Sequence, residues 1–351
     1  MLINFFIEFY TPMSTNKNQS IEDILDLKEN RMWFDICKSI PLIINNQNAD
    51  EIWNIFFENI LQYHPSSLTE AALHMSEFYS TEKSIELISK SLVAINDSQM
   101  YTGNFKMEIM HLEIKKCILL IEAGKFDDVE SKIFEFKRIE MDIEVYKLYN
   151  FLAFKYYEIT NNYEYCVRYI YEYLKISSNL CSSDMSLLEL FAKYSLVSKN
   201  FFNFVEGSSL RGFNKINEDL YRAYIAVQEG NIELINKHKD MLDVIFGKKC
   251  YIVREKAYFI ALINLCFKQE DRFLSFAIIQ DELGISEDEI YGFLLKAFGL
   301  GLVKGWIDGY NKILHFNTII PRCLPKDELI KMKNKVMEWK NKVRQAISMI
   351  E

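Results

Sequence analysis

Apolar and polar residues recur at helical spacing along most of this chain. Near its start, Ile52, Ile55, Phe56, Ile60 and Leu61 fall on one side of a helix, because positions three or four apart share a helical face. Segments of this kind follow one another to about residue 268, with hardly any of the strict alternation that marks a half-buried strand. The pattern predicts a mainly α fold.

Four short breaks between the helical segments resemble one another. They centre on Gly124, Asn161, Lys199 and Gly230, which are 37, 38 and 31 residues apart. Such intervals are typical of repeats built from a pair of antiparallel helices, and Gly or Asn suits the left-handed turn between them. We therefore predict an α-solenoid of helix-pair repeats over residues 21–268, in which each pair buries its apolar face on the next. Residues 1–20 stay unplaced.

Capping patterns predict where some of these helices begin. Ser20 with Asp23 is a variant of the capping box, in which a side-chain oxygen accepts from a free N–H of the first helical turn. Ser67 with Glu70 repeats the pattern after Pro65, which interrupts the preceding helix. A new helix is accordingly expected to open at Ser67.

The pattern changes near residue 271. Ser275 is placed to cap a helix that Gly284 ends, and Ser286 with Glu289 forms a capping box for a second helix. Two β-rich runs, 302–307 and 312–316, then flank an Asp-Gly turn at residue 308, a strong hairpin signal. Two helices followed by a two-stranded wing predict a winged-helix module over residues 269–320.

The last segment, residues 321–351, predicts one long helix with a narrow apolar seam. Seven apolar positions recur at alternating intervals of three and four residues, which is a strict heptad: Leu329, Met332, Val336, Trp339, Val343, Ala346 and Ile350. A 3.5-residue period favours neighbouring helices that cross at shallow angles. The seam has no obvious core in its own chain, so we predict burial in a bundle with other helices. The surplus of Lys and Arg on this helix suits a solvated face or acidic neighbours.

Composition narrows the class of protein. The chain has 351 residues, 50% of them apolar, with 41 Lys and Arg against 49 Asp and Glu, a net charge of −8. No window approaches the run of about 18 apolar residues that a membrane span requires, so no membrane protein is expected. A net negative charge disfavours broad binding of the chain to the phosphates of a nucleic acid. Seven scattered cysteines without a C-x-x-C pair indicate reduced thiols and a cytoplasmic and nuclear location.

The motifs of enzymes are missing from the sequence. Its five histidines form neither an H-x-H nor an H-E-x-x-H pair, and no G-x-x-x-x-G-K run exists, so we predict no metal, no cofactor and no catalysis. The second helix of the winged-helix module begins with Glu287, Asp288 and Glu289, where phosphate contacts would need positive charge. The tyrosines between 163 and 173 fit either a solenoid core or a partner-facing groove, and the core is the simpler interpretation.

Four stretches near the C-terminus resemble PCI-domain proteins, and within that group the subunits of the proteasome regulatory particle lid. They are residues 301–308, 311–315, 320–324 and 332–339, and weaker likeness extends back to about residue 50. The resemblance implies a non-catalytic structural scaffold within a hetero-oligomer. It also implies three kinds of partner: other PCI subunits of the lid, the deubiquitinase pair of metalloprotease-like subunits, and the ubiquitin-receptor subunit. A PCI scaffold of the signalosome or of translation initiation, or a winged-helix protein that binds nucleic acid, stays an alternative.

The resemblance also implies two partner-binding surfaces. The first is the edge of the winged helix, where unpaired backbone groups of a strand are open to a neighbouring PCI domain; its residues are Leu302, Val303, Trp306, Ile307, Ile313 and His315. The second is the heptad seam of the C-terminal helix. No nucleic acid and no membrane is expected at either surface.

Overall fold

A computed structural model describes residues 21–45, 48–97, 104–126, 128–177, 181–269, 271–320 and 326–348. The predicted Ser20 cap and residues 1–20 lie outside that part of the chain. The described residues are mostly helical, with one small sheet, which confirms the mainly α prediction. The chain divides into two compact units, residues 1–187 and 188–351.

Successive helices of the first unit pack on one another. Their bounds are α1 Ile21–Glu29, α2 Trp33–Ile43, α3 Ala49–Glu58, α4 Pro65–Met75, α5 Thr81–Asp97, α6 Lys106–Glu122, α7 Val129–Phe136, α8 Ile143–Ile159 and α9 Tyr163–Ile176. Helix α10, Ser182–Val197, runs across the division between the units. The contacts of α5 with α6, of α6 with α8 and of α8 with α9 are those of stacked helix pairs.

Each of the four predicted breaks separates two helices. Gly124, Asn161 and Gly230 adopt positive φ angles of 75°, 56° and 66°, the left-handed conformation that ends a helix. At Gly230 a second reason for glycine exists, because an added Cβ would lie 2.7 Å from the backbone N of Ala261. The turn signals read from the sequence therefore mark the helix ends correctly.

The expected start at Ser67 is wrong by two residues. Helix α4 begins at Pro65, and the Nδ1 atom of His64 accepts a hydrogen bond from the backbone N–H of Ser66 at 3.3 Å. Proline is favoured in the first turn because its missing N–H would have no helical partner there. The breaker is thus the helix start itself.

The second unit continues with short helices and ends in a winged-helix module. Its elements are α11 Phe204–Ser208, α12 Glu218–Glu229, α13 Ile232–Lys237, α14 Lys239–Phe246, α15 Cys250–Lys268, β1 Phe273–Ser275, α16 Phe276–Leu283, α17 Glu287–Gly299, β2 Val303–Asp308, β3 Ile313–Ile319 and α18 Lys326–Ser348. Ser275 caps α16 and Gly284 ends it with a left-handed φ of 65°, as predicted. The predicted capping box at Ser286 differs in its hydrogen bond. The Ser286 side chain does not accept from a backbone N–H of α17, and its hydroxyl donates to the Glu289 carboxylate at 2.7 Å.

The sheet corrects the prediction of a two-stranded wing. It has three antiparallel strands in the order β1-β3-β2, because Phe273–Ser275 pairs with β3. Helix α15 contacts β1, β3 and α16 and also α12 and α13. Its Phe259 ring stacks on Phe293 of α17 at 5.0 Å between centroids. The predicted boundary near residue 268 thus falls directly after a helix that packs against both the short helices and the winged helix.

None of the described helices combines the length and apolar character needed to cross a membrane.

Burial of ionisable groups in the first unit predicts a specific pH dependence. Burial lowers the pKa of His111 from 6.5 to about 4, with nearby Lys115 adding to the shift and Asp142 and Glu108 opposing it. Between pH 6.5 and 4 the unfolded chain takes up a proton that the folded chain refuses, so stability falls as the pH falls. We expect His111→Gln to remove about 2.5 kcal/mol of that loss in urea titrations at pH 7 and pH 4.5.

The half-buried carboxylate of Glu77 supplies the matched control. Burial raises the pKa of Glu77 to about 7, so this group favours the folded chain on acidification and has the opposite sign. Glu77→Gln should therefore leave the acid-side loss from His111 in place. Parallel pH curves for the wild type and His111→Gln would contradict the prediction.

Candidate partner-binding surfaces

Strand β2 presents the longer edge of the sheet. Among the described residues it pairs with β3 alone, and its partner register begins with Val303 opposite Ile319. The N–H of Ile320 donates to the Leu302 carbonyl at 2.8 Å, so the pair next to it is a non-hydrogen-bonded pair of an antiparallel ladder. The backbone N–H and C=O of Val303 consequently face away from β3, toward the open edge.

Gly305 sets the close approach of β2 to β3. A Cβ at this position would lie 1.9 Å from the backbone oxygen of His315, which no side chain tolerates. The register shifts between Lys304 and Gly305, and such a bulge increases the local twist of the strand. Gly305 does not have a positive φ, so backbone conformation does not explain the glycine. Glycine is required because the backbones of β2 and β3 lie too close together for a side chain.

An aromatic row crosses the outer face of the sheet. The register aligns Phe273, His315 and Trp306 on neighbouring strands. The Trp306 and His315 rings are stacked 4.9 Å apart, and Phe273 lies 6.4 Å from His315. Trp306 is 54% exposed and Tyr310, at the turn of the wing, is 94% exposed. An approaching strand at the β2 edge would meet the uncovered side of Trp306.

The six residues predicted at the wing edge differ in their burial and in their position in the sheet. Leu302 and Val303 have buried side chains, so only their backbone groups are open to a partner. Ile313 and His315 belong to β3, the central strand, whose backbone pairs with strands on both sides. This corrects the prediction that they lie at an edge. Trp306 alone of the six has a largely exposed side chain.

Helix α18 exposes its heptad seam. Leu329, Met332, Val336, Trp339 and Val343 are all exposed, and Trp339 is 67% exposed. The Ala346 side chain and Ile350 lie outside the described part of the chain. The apolar residues of the seam are therefore open over at least two heptads, where a water-exposed helix would ordinarily carry polar side chains.

The acidic start of α17 is tied to the wing. Glu287 forms an ion pair with Lys312, and the Tyr291 hydroxyl donates to the Gly309 carbonyl at 3.4 Å. At the other end of the helix, Lys296 pairs with Glu255 of α15 at 2.9 Å. These contacts link α17 to the wing and to α15.

Lys256 holds together the start of the second unit, a role that the sequence did not indicate. Its ammonium donates to the carbonyls of Ser195 and Phe201 at 2.6 and 2.7 Å, although its side chain is buried. The charge also lies over the rings of Phe202 and Phe204, at 5.3 and 5.2 Å from their centroids. A lysine in an apolar helix pattern reads as a solvated residue, so no local signal reveals it.

The tyrosines of α9 divide between core and surface. Tyr169 and Tyr173 are buried, whereas Tyr165 is exposed. Tyr157 of α8 stacks against both Tyr165 and Tyr169, at 4.6 and 5.7 Å. The cluster mainly joins the two helices of one repeat.

Three of the buried thiols stay in their protonated, less reactive form. Burial raises the pKa of Cys117 to about 11 and those of Cys166 and Cys266 to about 12, so these thiols stay protonated. Across the described residues no cluster of three or more His, Cys, Asp or Glu side chains is arranged to hold a metal ion.

Known proteins similar to this chain include proteasome regulatory subunits. No protein-family model matches the chain. A Dictyostelium discoideum protein, 26S proteasome non-ATPase regulatory subunit 13, is 23% identical over 382 aligned positions, which span 99% of this chain and 96% of that protein. The chain is a homologue of that proteasome regulatory subunit. Over 125 residues it is 29% identical to 26S proteasome regulatory subunit RPN9 of Saccharomyces cerevisiae, covering 36% of this chain and 29% of that protein.

A subunit of another complex is also similar. Eukaryotic translation initiation factor 3 subunit M of Dictyostelium discoideum is 22% identical over 216 residues, 58% of this chain and 53% of that protein. The similarity to the proteasome subunit 13 homologue extends over nearly the whole chain, whereas this one covers little more than half.

Proposed function

We propose that this chain is a non-catalytic scaffold subunit of the 26S proteasome regulatory particle lid, and that it supports ubiquitin-dependent protein degradation through protein contacts alone. In this proposal residues 269–320 are the winged-helix part of a PCI domain. The partners are other PCI subunits of the lid, the deubiquitinase pair and the ubiquitin-receptor subunit, in the cytoplasm and the nucleus.

One observation carries the proposal: a protein named as a proteasome regulatory subunit aligns with 99% of the chain. The exposed seam of α18 and the open edge of β2 are surfaces that suit assembly. A long helix with an uncovered apolar seam is marginal in water, since most helix stability comes from packing an apolar face. The open edge of β2 is a second uncovered feature. Both suit a subunit that is completed by its neighbours.

Native mass spectrometry of the tagged full-length chain, purified from its own cells, tests the proposal. We expect the chain in one large assembly with the other regulatory particle subunits. Recovery with translation initiation factors alone would favour the second candidate, which the similarity to subunit M supports. Recovery as a single chain would contradict both candidates.

The open edge of β2 gives a more local prediction. Val303→Pro removes the backbone N–H that faces the edge, so pairing with a neighbouring strand should lose a hydrogen bond. We expect at least about a threefold loss of incorporation into the lid in pull-downs of tagged chains, the size expected for one lost hydrogen bond.

Val303→Ala is the matched control. It removes similar buried packing, because the Val303 side chain is buried, but it keeps the N–H. Circular dichroism of both variants should show wild-type helical content. Equal losses of incorporation in the two variants would assign Val303 to the fold of the wing and not to an interface.

A further inference from the structure

The heptad of α18 places lysines on both flanks of its apolar seam. Counting Leu329, Val336 and Val343 as position a puts Met332 and Trp339 at position d. Every e and g position between Met332 and Val343 is then a lysine: Lys333 and Lys340 at e, Lys335 and Lys342 at g. All four side chains are exposed. Between Met332 and Val343, the flanks that decide partner choice in helix packing therefore carry positive charge only.

A second apolar stripe lies beside the first. Ile330 and Met337 occupy position b and are both exposed. On a helical wheel, position e lies between positions a and b, so Lys333 and Lys340 stand between the two apolar stripes. Neighbouring helices on both stripes would enclose these two ammonium groups, which then require carboxylate partners.

We propose that α18 binds a helix of another protein whose own apolar seam is flanked by Asp and Glu. This inference rests on the proposed function, because it names the chemistry of the neighbour that covers the seam. Charge complementarity selects that occupant, since acidic side chains at its e and g positions would face the four lysines.

The same pattern disfavours two other ways of covering the seam of α18, namely a second copy of α18 and a lipid surface. In a pair of identical α18 helices, parallel or antiparallel, the flanking lysines would face one another, and like charges repel. On a lipid surface, Lys333 and Lys340 would lie within the apolar arc, where burial of an ammonium group is costly. The acidic helix is the occupant that satisfies both the seam and its flanks.

Two synthetic peptides of about 28 residues test the proposal against the full-length chain. Both carry Leu at a and d; one has Glu at e and g, the other Lys. Fluorescence anisotropy should show the acidic peptide binding at least about tenfold more tightly, the sum of four flanking ion pairs, with the difference shrinking in high salt. Equal binding of the two peptides, or binding of neither, would overturn the proposal.

Matched variants locate the effect. Lys333→Gln with Lys340→Gln changes position e, and Asn334→Glu with Asn341→Glu changes position f on the outer face; each pair lowers the net charge by two. Only the first pair should weaken binding of the acidic peptide, by about threefold or more. Converting all four flanking lysines to Glu should reverse the preference of the chain. Equal effects of the two pairs would show attraction to total charge and overturn the proposal.

Two further measurements cover the alternatives. Analytical ultracentrifugation should give a monomer, and vesicles containing phosphatidylserine should bind less than the acidic peptide does; an α18-dependent dimer or stronger vesicle binding would overturn the proposal.

The preference for acidic flanks, called here the charge rule, can fail without the proposed function failing. A chain that enters the lid but does not discriminate between the peptides refutes only the charge rule.

Discussion

Trp339→Asp is expected to abolish incorporation of this chain into the lid while the isolated chain keeps its stability. Trp339 is the largest residue of the exposed seam. Truncating a Trp at a packed site costs about 3 to 5 kcal/mol, a loss of roughly 100-fold or more in affinity, and a buried carboxylate adds to that cost. Pull-down from cells expressing the tagged variant measures incorporation, and a thermal melt of the purified chain measures stability.

The exposed seam also predicts the effect of truncation. A chain that ends at Pro325 should stay folded and soluble, because the described side chains of α18 are exposed along its length and bury little surface. Asn341→Asp, on the opposite face of α18, is the control and should leave incorporation unchanged. A lower melting temperature for Trp339→Asp or for the truncated chain would mean that the seam packs on the rest of its own chain, and the bundle assignment would then fail.

Lys256→Met is expected to destabilise the second unit by about 2 to 4 kcal/mol. The substitution keeps the apolar stem of the side chain but removes an ammonium that donates to the Ser195 and Phe201 carbonyls. A hydrogen bond to a charged group contributes about 1.5 to 3 kcal/mol, and a buried acceptor without its donor adds a desolvation cost. Urea unfolding followed by circular dichroism gives the change.

Lys199 provides the comparison for that experiment. It is exposed and lines the same cavity of about 390 Å³ as Lys256. Lys199→Met should therefore change the free energy of unfolding by less than about 0.5 kcal/mol, the usual range for surface substitutions. Equal effects at the two positions would show that the two carbonyl bonds of Lys256 contribute no net stability.

Local signals were strong enough to predict much of the fold. Left-handed turns at Gly124, Asn161 and Gly230 follow from the conformational freedom of Gly and the tolerance of Asn for positive φ. The cap at Ser275 and the helix end at Gly284 likewise depend on residues within four positions. Such features are readable because each is decided by its own short stretch of chain.

The candidate surfaces were only partly predictable. The heptad predicted the apolar seam that α18 exposes from Leu329 to Val343, since the period of the apolar residues fixes one face of a helix. The edge of the wing was harder to predict from the sequence, because the order of strands in a sheet depends on which distant segments pair. The three residues of β1 are too short for an alternating pattern, yet their pairing with β3 moves Ile313 and His315 to the centre of the sheet.

The sequence by itself therefore determined the helical repeats, the winged helix and the apolar seam of α18, all of which rest on spacing along the chain. The tertiary structure decided the third strand, the close approach at Gly305 and the burial of Lys256. The third strand and Lys256 join residues far apart in sequence, since Lys256 reaches carbonyls about 60 residues earlier. The close approach at Gly305 depends on how β2 and β3 pair across the hairpin. These contacts form only when separate segments of the folded chain meet, so the spacing of apolar residues along the sequence cannot predict them.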